Sequence, residues 1–416
     1  MNIAVLGSGG REHALAWKLA QSPLADTVYV MPGNGGTANN VAVDPMDFEA
    51  VGAACLERGV ELLVVGPEDP LAAGIVDHFA GSEIKVFGPS AAGAQLEGSK
   101  AWSKDFMARH GVATAAYRHF PRPGDAQGWV RERGGACVVK YDGLAAGKGV
   151  FVCHDTTQAL EALATVQERY GADAPTVVED CLLGNEVSIL GLTDGSHISL
   201  LLASQDHKQL LDGDRGPNTG GMGAFCPVPA FDLMMLEQVR AEVVEPTLQG
   251  LRAEGIDYRG VIYFGLMMCA DGPKLLEYNV RLGDPETEAV LPALSSDLVE
   301  LMLACLDGSL MLCDMHFEPG FFVDLVLASG GYPGGYPKGL EINGADSAPE
   351  GVLVFHAGTR RDQAGRLVTS GGRVLNVVAH GETLDAAIAK AYAAADGIGF
   401  EGKIQRGDIG RREWLR

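Results

Sequence analysis

The sequence predicts a multidomain chain of α/β and α+β character, with a parallel α/β domain first, a central α+β part, and a small α/β domain last. Three observations carry this. Residues 2 to 103 alternate short apolar strands with helical stretches, which implies a parallel sheet. The central part instead pairs strands through tight glycine turns such as Ala270-Asp-Gly272, which implies antiparallel hairpins. From about residue 321 the texture changes again, to three strands and one helix. A length of 416 residues fits two to four domains. The expected divisions are 1–103, 104–320 with a small lid at about 120–190, and 321–416.

Ile3–Leu6 reads as a buried strand, Gly7-Ser-Gly-Gly10 as a turn, and Arg11 to Gln21 as a helix. Val28–Met31, Glu61–Val65 and Lys85–Phe87 are further strands, each ending in a Gly-containing loop: 32–37, 66–70 and 88–90. Ligands bind at the carboxyl ends of strands in such sheets. Gly7-x-Gly9 invites a dinucleotide, but the third glycine of that fingerprint falls on Glu12. Met31-Pro32 stands where an acidic residue would hold a ribose diol. A phosphate at the helix N-terminus, near Gly9, Gly10 and Arg11, fits better. A tight turn with no ligand is the plain alternative.

Ser99 to His110 is a predicted helix with Lys100 and Lys104 on one side, a spacing that usually marks a solvated face. Residues 114–190 read as a small α+β insert. Inside it, an apolar strand ends in Lys140, and a second begins at Val150. Between them Gly143, Gly147 and Gly149 surround Lys148. Glycines let backbone N–H groups approach an anion, so this loop suits phosphate, or else is an ordinary hairpin turn. It is not a P-loop, because Gly149 follows Lys148 where Ser or Thr is required. Thr176–Glu179 and Glu186–Leu190 are strands.

Residues 204–208 and 216–223 form a long polar, Gly-rich stretch, expected as a loop for a small polar ligand. Helices follow at about 231–254. Val261–Met268 and Pro273–Val280 are paired strands, and Glu277 and Asn279 share one face of the second. Two such oxygen donors suit Mg²⁺, or are a solvated strand face. Val323–Leu327, Val352–His356 and Val374–Val378 are strands of a separate C-terminal module, with a helix from Leu384 to Ala395. There is no internal repeat and no disordered tail.

A net charge of −22 argues against nucleic-acid binding and requires any phosphate site to concentrate its lysines and arginines locally. The eight cysteines form no C-x-x-C pair and read as buried thiols in a reducing compartment. No signal-peptide layout and no membrane-length apolar run is present, so a cytoplasmic location is expected.

Taken in order, Gly7-Ser-Gly-Gly-Arg-Glu-His13, Pro32–Thr37, Gln95-Leu-Glu-Gly-Ser-Lys100, Lys140–Val150, Ser204–Lys208, Gly216–Gly223, Arg281-Leu-Gly-Asp-Pro-Glu286, Gly330-Gly-Tyr-Pro333 and Phe355-His-Ala-Gly358 are familiar. Across essentially its whole length the chain resembles the glycinamide ribonucleotide synthetase (phosphoribosylamine–glycine ligase) family of ATP-grasp enzymes. That resemblance implies an ATP-grasp central pair holding ATP, and a C-terminal domain that closes the site. It implies ligation of glycine to 5-phosphoribosylamine with ATP, giving glycinamide ribonucleotide, ADP and phosphate in purine biosynthesis. By the same resemblance Lys104 and Lys140 hold ATP phosphates, and Gly147, Lys148 and Gly149 cover them. Glu179 to Leu182 forms the adenine hinge, and Glu186 accepts the ribose hydroxyls. Glu277 and Asn279 bind Mg²⁺ or Mn²⁺. Arg281, Lys148 and Asp284 are catalytic. Gly9, Gly10, Arg11, Asn34, Glu68, Asp69, Asp212, Asn218, Thr219 and Glu286 bind substrate. The implied partners are small molecules, with no nucleic acid or membrane, for a monomer or small homo-oligomer.

There are departures from the family pattern. Tyr141 stands where a small residue is usual, and either narrows the phosphate site or points to the other face of its strand. Asn185-Glu186 replaces a commoner acidic pair. Residues 263–267 carry no acidic metal ligand. The rivals are an ATP-grasp ligase for another acid or amine, which the sugar-phosphate loops argue against, and an NAD-binding protein, which Glu12 argues against.

Overall fold

A computed structural model describes residues 1–145, 148–411 and 414. The strands Asn2–Gly7, Thr27–Pro32, Val60–Val65 and Lys85–Phe87 form a parallel sheet in the order second, first, third, fourth. Ile3 and Val5 enter one hydrophobic core, while Ala4 and Leu6 enter another on the opposite face. A parallel sheet is covered on both sides in this way, which explains its unbroken apolar runs. The connections diverge on either side of Asn2–Gly7. That leaves a crevice at its carboxyl end, where the loops after the strands meet.

The insert is a four-stranded antiparallel sheet in the order Tyr117–Phe120, Thr176–Asp180, Cys137–Tyr141, Val150–Cys153. The helices Pro123–Arg133 and Thr156–Tyr170 supply residues to its apolar core, with Val139, Leu163 and Val178. Alternation along the strands turns Val138 and Lys140 to the opposite face, toward a cavity. Tyr141 shares the helix-packed face: its ring stacks on Tyr170 with centroids 4.0 Å apart. Of the two readings of Tyr141, the structure takes the one in which the side chain points to the other face of its strand.

The central sheet is also antiparallel, in the order Ile198–Leu200, Asn185–Thr193, Gly260–Cys269, Gly272–Asn279. Val187, Ile189, Ile262 and Phe264 face a core shared with the N-terminal sheet. Glu186, Tyr263, Glu277 and Asn279 line the cavity.

Two expectations are corrected here. The polar stretch after residue 204 is not simply a loop. It holds the strands Gln205–Asp206 and Gly223–Cys226 and, between them, a hairpin of Gln209–Leu211 with Arg215–Asn218. Its strand residues show too little apolar alternation to announce pairing. The C-terminal sheet is also not self-contained. Phe321–Ala328, Arg373–Gly381 and Val352–His356 are completed by Gln205–Asp206 and Gly223–Cys226 from that stretch. Val352–His356 in turn meets the first helix, Gly10–Leu19, with Phe355 edge-on to His13 and Trp17. Among the described residues, all eight cysteines are free thiols and no helix is long and apolar enough to cross a membrane.

Gly184, where the insert rejoins the central sheet, shows how tight that junction is. A Cβ there would lie 2.2 Å from the Met268 carbonyl oxygen, and backbone cannot step aside cheaply. Gly184→Ala should therefore destabilise the protein by roughly 1–3 kcal/mol, an ordinary overpacking cost. Urea unfolding would show it as a lower midpoint, and an unchanged midpoint would contradict the close approach.

Candidate active site

A cavity of about 1960 Å³ lies between the insert, the central sheet, the N-terminal loops and the C-terminal sheet. Its deepest electrostatic feature is one carboxylate held by two lysines. Glu179 sits 2.7 Å from Lys104 Nζ and 2.5 Å from Lys140 Nζ, with all three side chains nearly sealed from solvent. Burial opposes ionised Glu179, but Lys140 and Lys104 outweigh it and hold the carboxyl below its ordinary value. Burial pulls Lys104 down to about 8, against the pull of Glu179. Each lysine makes one further bond. Lys104 Nζ donates to Thr114 Oγ1 at 2.7 Å, and Lys140 Nζ to the Leu276 carbonyl at 3.1 Å. Lys104 is thus buried, not part of a solvated helix face. The Glu179 side chain lies beneath the lysines, while Asp180, Cys181 and Leu182 continue along the cavity wall.

Glu277 and Asn279 share the cavity face, as their spacing predicts. The ladder to the neighbouring strand shifts register here. Gly265 pairs with Glu277 and Leu266 with Leu275, leaving Leu276 as the extra residue whose carbonyl meets Lys140. Burial again opposes the charge on Glu277, and Lys208, Lys140, Lys100 and Arg281 together keep it ionised. Lys100 also donates to the Gly143 carbonyl at 2.8 Å, and Asp142 accepts from Ala101 N at 3.2 Å. The start of the Gly/Lys loop is therefore tied to the helix Lys100–His110. Lys148 is exposed at the cavity and Gly149 is buried, while Gly147 falls outside the described residues. Glu186 is half-buried and bonded to Lys208 Nζ at 3.1 Å.

Arg281 is clamped by two carboxylates of the N-terminal domain. Its Nε lies 3.2 Å from Glu68 Oε2 and its Nη2 2.8 Å from Glu97 Oε1. Burial raises Glu68, but Arg281 and Arg11 overcome it and take the carboxyl down to about 2. Burial lifts Glu97 to about 7 despite Arg281. Arg11 is buried, with Nε 2.6 Å from Glu12 Oε1 and Nη1 donating to the Leu282 carbonyl at 3.1 Å. Glu12 Oε2 accepts the Gly9 N–H at 2.6 Å. The Glu12 carboxylate thus fills the turn where a dinucleotide pyrophosphate would have to sit.

A second cluster is acidic. Asp206 and Glu286 are buried and line the cavity. Ser188 Oγ and Tyr263 OH donate to Glu286 Oε1 at 2.9 and 3.0 Å. Asp206 Oδ1 has no hydrogen-bond partner, and burial, then Glu286, push this carboxyl well above the usual range. Asp284 lies 3.0 Å from Arg373 Nη1, which also donates to the Gly220 carbonyl. Thr219 Oγ1 donates to the Lys208 carbonyl, and Asn218 borders the same space.

The other expected site residues lie at the edge of the cavity or have internal partners. Asn34 spends its side chain internally, donating to the Ser8 and His356 carbonyls and accepting from Gly36 N. Gly10 allows the first helix to meet the helix Glu286–Ala293, since a Cβ would lie 2.4 Å from Glu288 Oε1. Gly9 stands near Asp284 at the cavity's edge. Asp212 is exposed at the hairpin tip and accepts from Gly407 N at 2.7 Å. Asp69 is exposed at the cavity mouth beside Glu68.

Sequence reasoning did not single out Glu97, Lys100, Asp206, Lys208, Tyr332 or Arg373 as site residues. The first five lie within stretches that carried the family resemblance, and that was the available signal. Arg373 had none, because only the fold brings its strand to Asp284.

Models of the three phosphoribosylglycinamide synthetase domains match this chain: the N domain over residues 1–97, the ATP-grasp (A) domain over 98–287 and the C domain over 322–412. The phosphoribosylamine–glycine ligase of Nostoc sp. is 47% identical over 422 residues, covering 99% of both chains. The trifunctional purine biosynthetic protein adenosine-3 of Gallus gallus is 48% identical over 421 residues, 99% of this chain but 42% of that protein. The crystal structure of phosphoribosylamine–glycine ligase from Thermotoga maritima superposes with a TM-score of 0.82 at 38% identity, covering 98% of this chain and all of that one. On the sequence, the three domains and the fold together, this chain belongs to the phosphoribosylglycinamide synthetase family.

Proposed function

We propose that this chain joins the carboxylate of glycine to the amine of 5-phosphoribosylamine while ATP becomes ADP and phosphate, a step of purine biosynthesis. The observation that carries this reading is the juxtaposition in one cavity of a cationic wall and an acidic floor. Lys104, Lys140 and Lys100 form the wall, Arg281 stands beside it, and Asp206 and Glu286 lie below. The wall suits a polyphosphate, and the floor suits an amino acid's ammonium group. An arriving ammonium would favour the ionised form of Asp206 and supply the partner its Oδ1 lacks. Residues 180–182 are read as the adenine edge and Glu186 as the ribose acceptor, releasing Lys208 toward phosphate. Arg11, Glu68 and Asp69 are read as one side of the sugar-phosphate pocket.

A carboxylate is not amidated directly at neutral pH, because it would have to expel oxide. Glycine oxygen attack on the γ-phosphorus gives glycyl phosphate and ADP, and the neutral amine then displaces phosphate. Lys104, Lys140, Lys148 and Arg281 would neutralise the phosphoryl group in flight. The tied loop and the C-terminal residues around Tyr332 would exclude water between the steps. Glu277 and Asn279 fit a hard divalent cation: both offer oxygen, Glu277 is kept ionised, and Gly265 opposite it adds no side chain. Held there, Mg²⁺ or Mn²⁺ would offset phosphate charge.

Glu277→Ala should lower turnover by about a hundredfold or more and weaken Mg²⁺ binding, with folding retained. Near-normal turnover at ordinary Mg²⁺ would remove Glu277 from the site. Asp206→Asn should raise the glycine KM by about tenfold to a hundredfold, the worth of one charge-assisted bond, and leave the ATP KM little changed. Equal effects on both would move the ammonium site elsewhere. Glycine labelled with ¹⁸O in its carboxylate should pass one labelled oxygen to inorganic phosphate per turnover. Unlabelled phosphate, or AMP and pyrophosphate as products, would rule out the acyl phosphate.

A further inference from the structure

The segment that follows the Glu277 strand is gripped from the N-terminal domain by three side chains. Arg11 holds the Leu282 carbonyl, and Glu68 holds Arg281 Nε. Glu97 makes two bonds to consecutive residues. Its Oε1 accepts from Arg281 Nη2 at 2.8 Å and its Oε2 from the Val280 N–H at 2.7 Å. The Glu97 side chain is only 9% exposed, and it lies on the helix Ala91–Gly98, which packs against the strand Gly272–Asn279. One carboxylate therefore fixes both the backbone at residue 280 and the guanidinium one residue later.

We infer that Glu97 is a positioning residue for phosphoryl transfer, acting through Arg281. The inference rests on reading Arg281 as the cation over the transferring phosphoryl group. An arginine side chain is long and flexible, and a charge helps a transition state most when it is already in place. Glu68 and Glu97 occupy Nε and Nη2, which leaves Nη1 with only a 3.4 Å contact to the Leu282 carbonyl. Nη1 is the donor with most left to offer an anion. Glu68 belongs to the short helix Glu68–Ala72 at the cavity rim, whereas Glu97 is anchored through its second oxygen to backbone. Of the two, Glu97 sets the angle at which the guanidinium leaves the chain. The same residue joins the domain read as holding the sugar phosphate to the strand read as holding the metal.

The test is a double-mutant cycle on the full chain, with kcat and KM measured for ATP and glycine. Glu97→Gln keeps the volume and can still accept from Val280 N, but it loses the charge that orients Arg281. It should lower kcat by about tenfold to a hundredfold and leave the ATP KM within about twofold, as misplacement of a transition-state group does. Added to Arg281→Ala, it should cost nothing more, because its route is already cut. Losses that multiply would mean that Glu97 acts through the fold, and would overturn the inference, as would an unimpaired Glu97→Gln. Thermal unfolding of each variant separates folding from positioning. Glu97→Asp, which keeps the charge but withdraws it by one methylene, carries the same cycle if the glutamine variant does not fold. Arg281→Ala with full turnover would instead remove the reading of Arg281 itself. A dead Arg281→Ala beside an unimpaired Glu97→Gln removes only the role of Glu97.

Discussion

The architecture depends on the buried carboxylate of Glu179. It sits on the insert sheet, one of its lysines comes from the helix Lys100–His110, and the other from the neighbouring strand of its own sheet. Those lysines continue the connection outward. Lys140 reaches the Leu276 carbonyl, and Lys104 reaches Thr114, whose hydroxyl donates to the Leu275 carbonyl. Three separate elements thus meet at one charge. Two buried cations without Glu179 would be strongly unfavourable, and so would the anion without them. The arrangement holds two lysines at a cavity wall with part of their desolvation offset by one shared carboxylate.

The same logic explains how a chain of net charge −22 can present a surface for anions. Its surplus of acid is kept away from the wall in two ways. Some carboxylates are paired, as Glu68 and Glu97 are with Arg281 and Asp284 is with Arg373. Others are buried to the point that their acidity is suppressed. Burial, with neighbouring acids behind it, pushes Asp206, Glu288 and Asp324 well above the carboxylate range. A neutral acid in the interior repels no phosphate, and it can regain charge where a cation arrives.

The first turn shows how one residue redirects a familiar pattern. Glu12 stands where a dinucleotide fingerprint requires glycine, and its carboxylate is folded back over the turn. A Cβ at Gly66 would lie 2.1 Å from Glu12 Oε1 and one at Gly7 2.6 Å from its Cδ, and Gly7 also has φ +127°. These glycines make room for a protein side chain, not for a pyrophosphate. The space a coenzyme would use is taken by an internal anion whose partner is Arg11.

Much of the fold was legible in the sequence because it is written in local periodicity. The unbroken apolar runs at residues 3–6, 28–31 and 62–65 marked the parallel sheet, and the i, i+2 spacing of Glu277 and Asn279 placed both on one face. The order of the motifs marked the family. What only the tertiary structure decided is pairing between distant segments, which no window of sequence contains. Gly223–Cys226 pairs with Phe321–Ala328, about a hundred residues later, and Arg373 reaches Asp284 only through that sheet. Lys104 looked like half of a solvated helix face, and Asn34 like a ligand for substrate. What the fold sets against them was not legible: Glu179 in one case, and the Ser8 and His356 carbonyls in the other. A residue's chemistry is local, but its partners are set by packing, and in this cavity the partners decide which charges are free to meet a ligand.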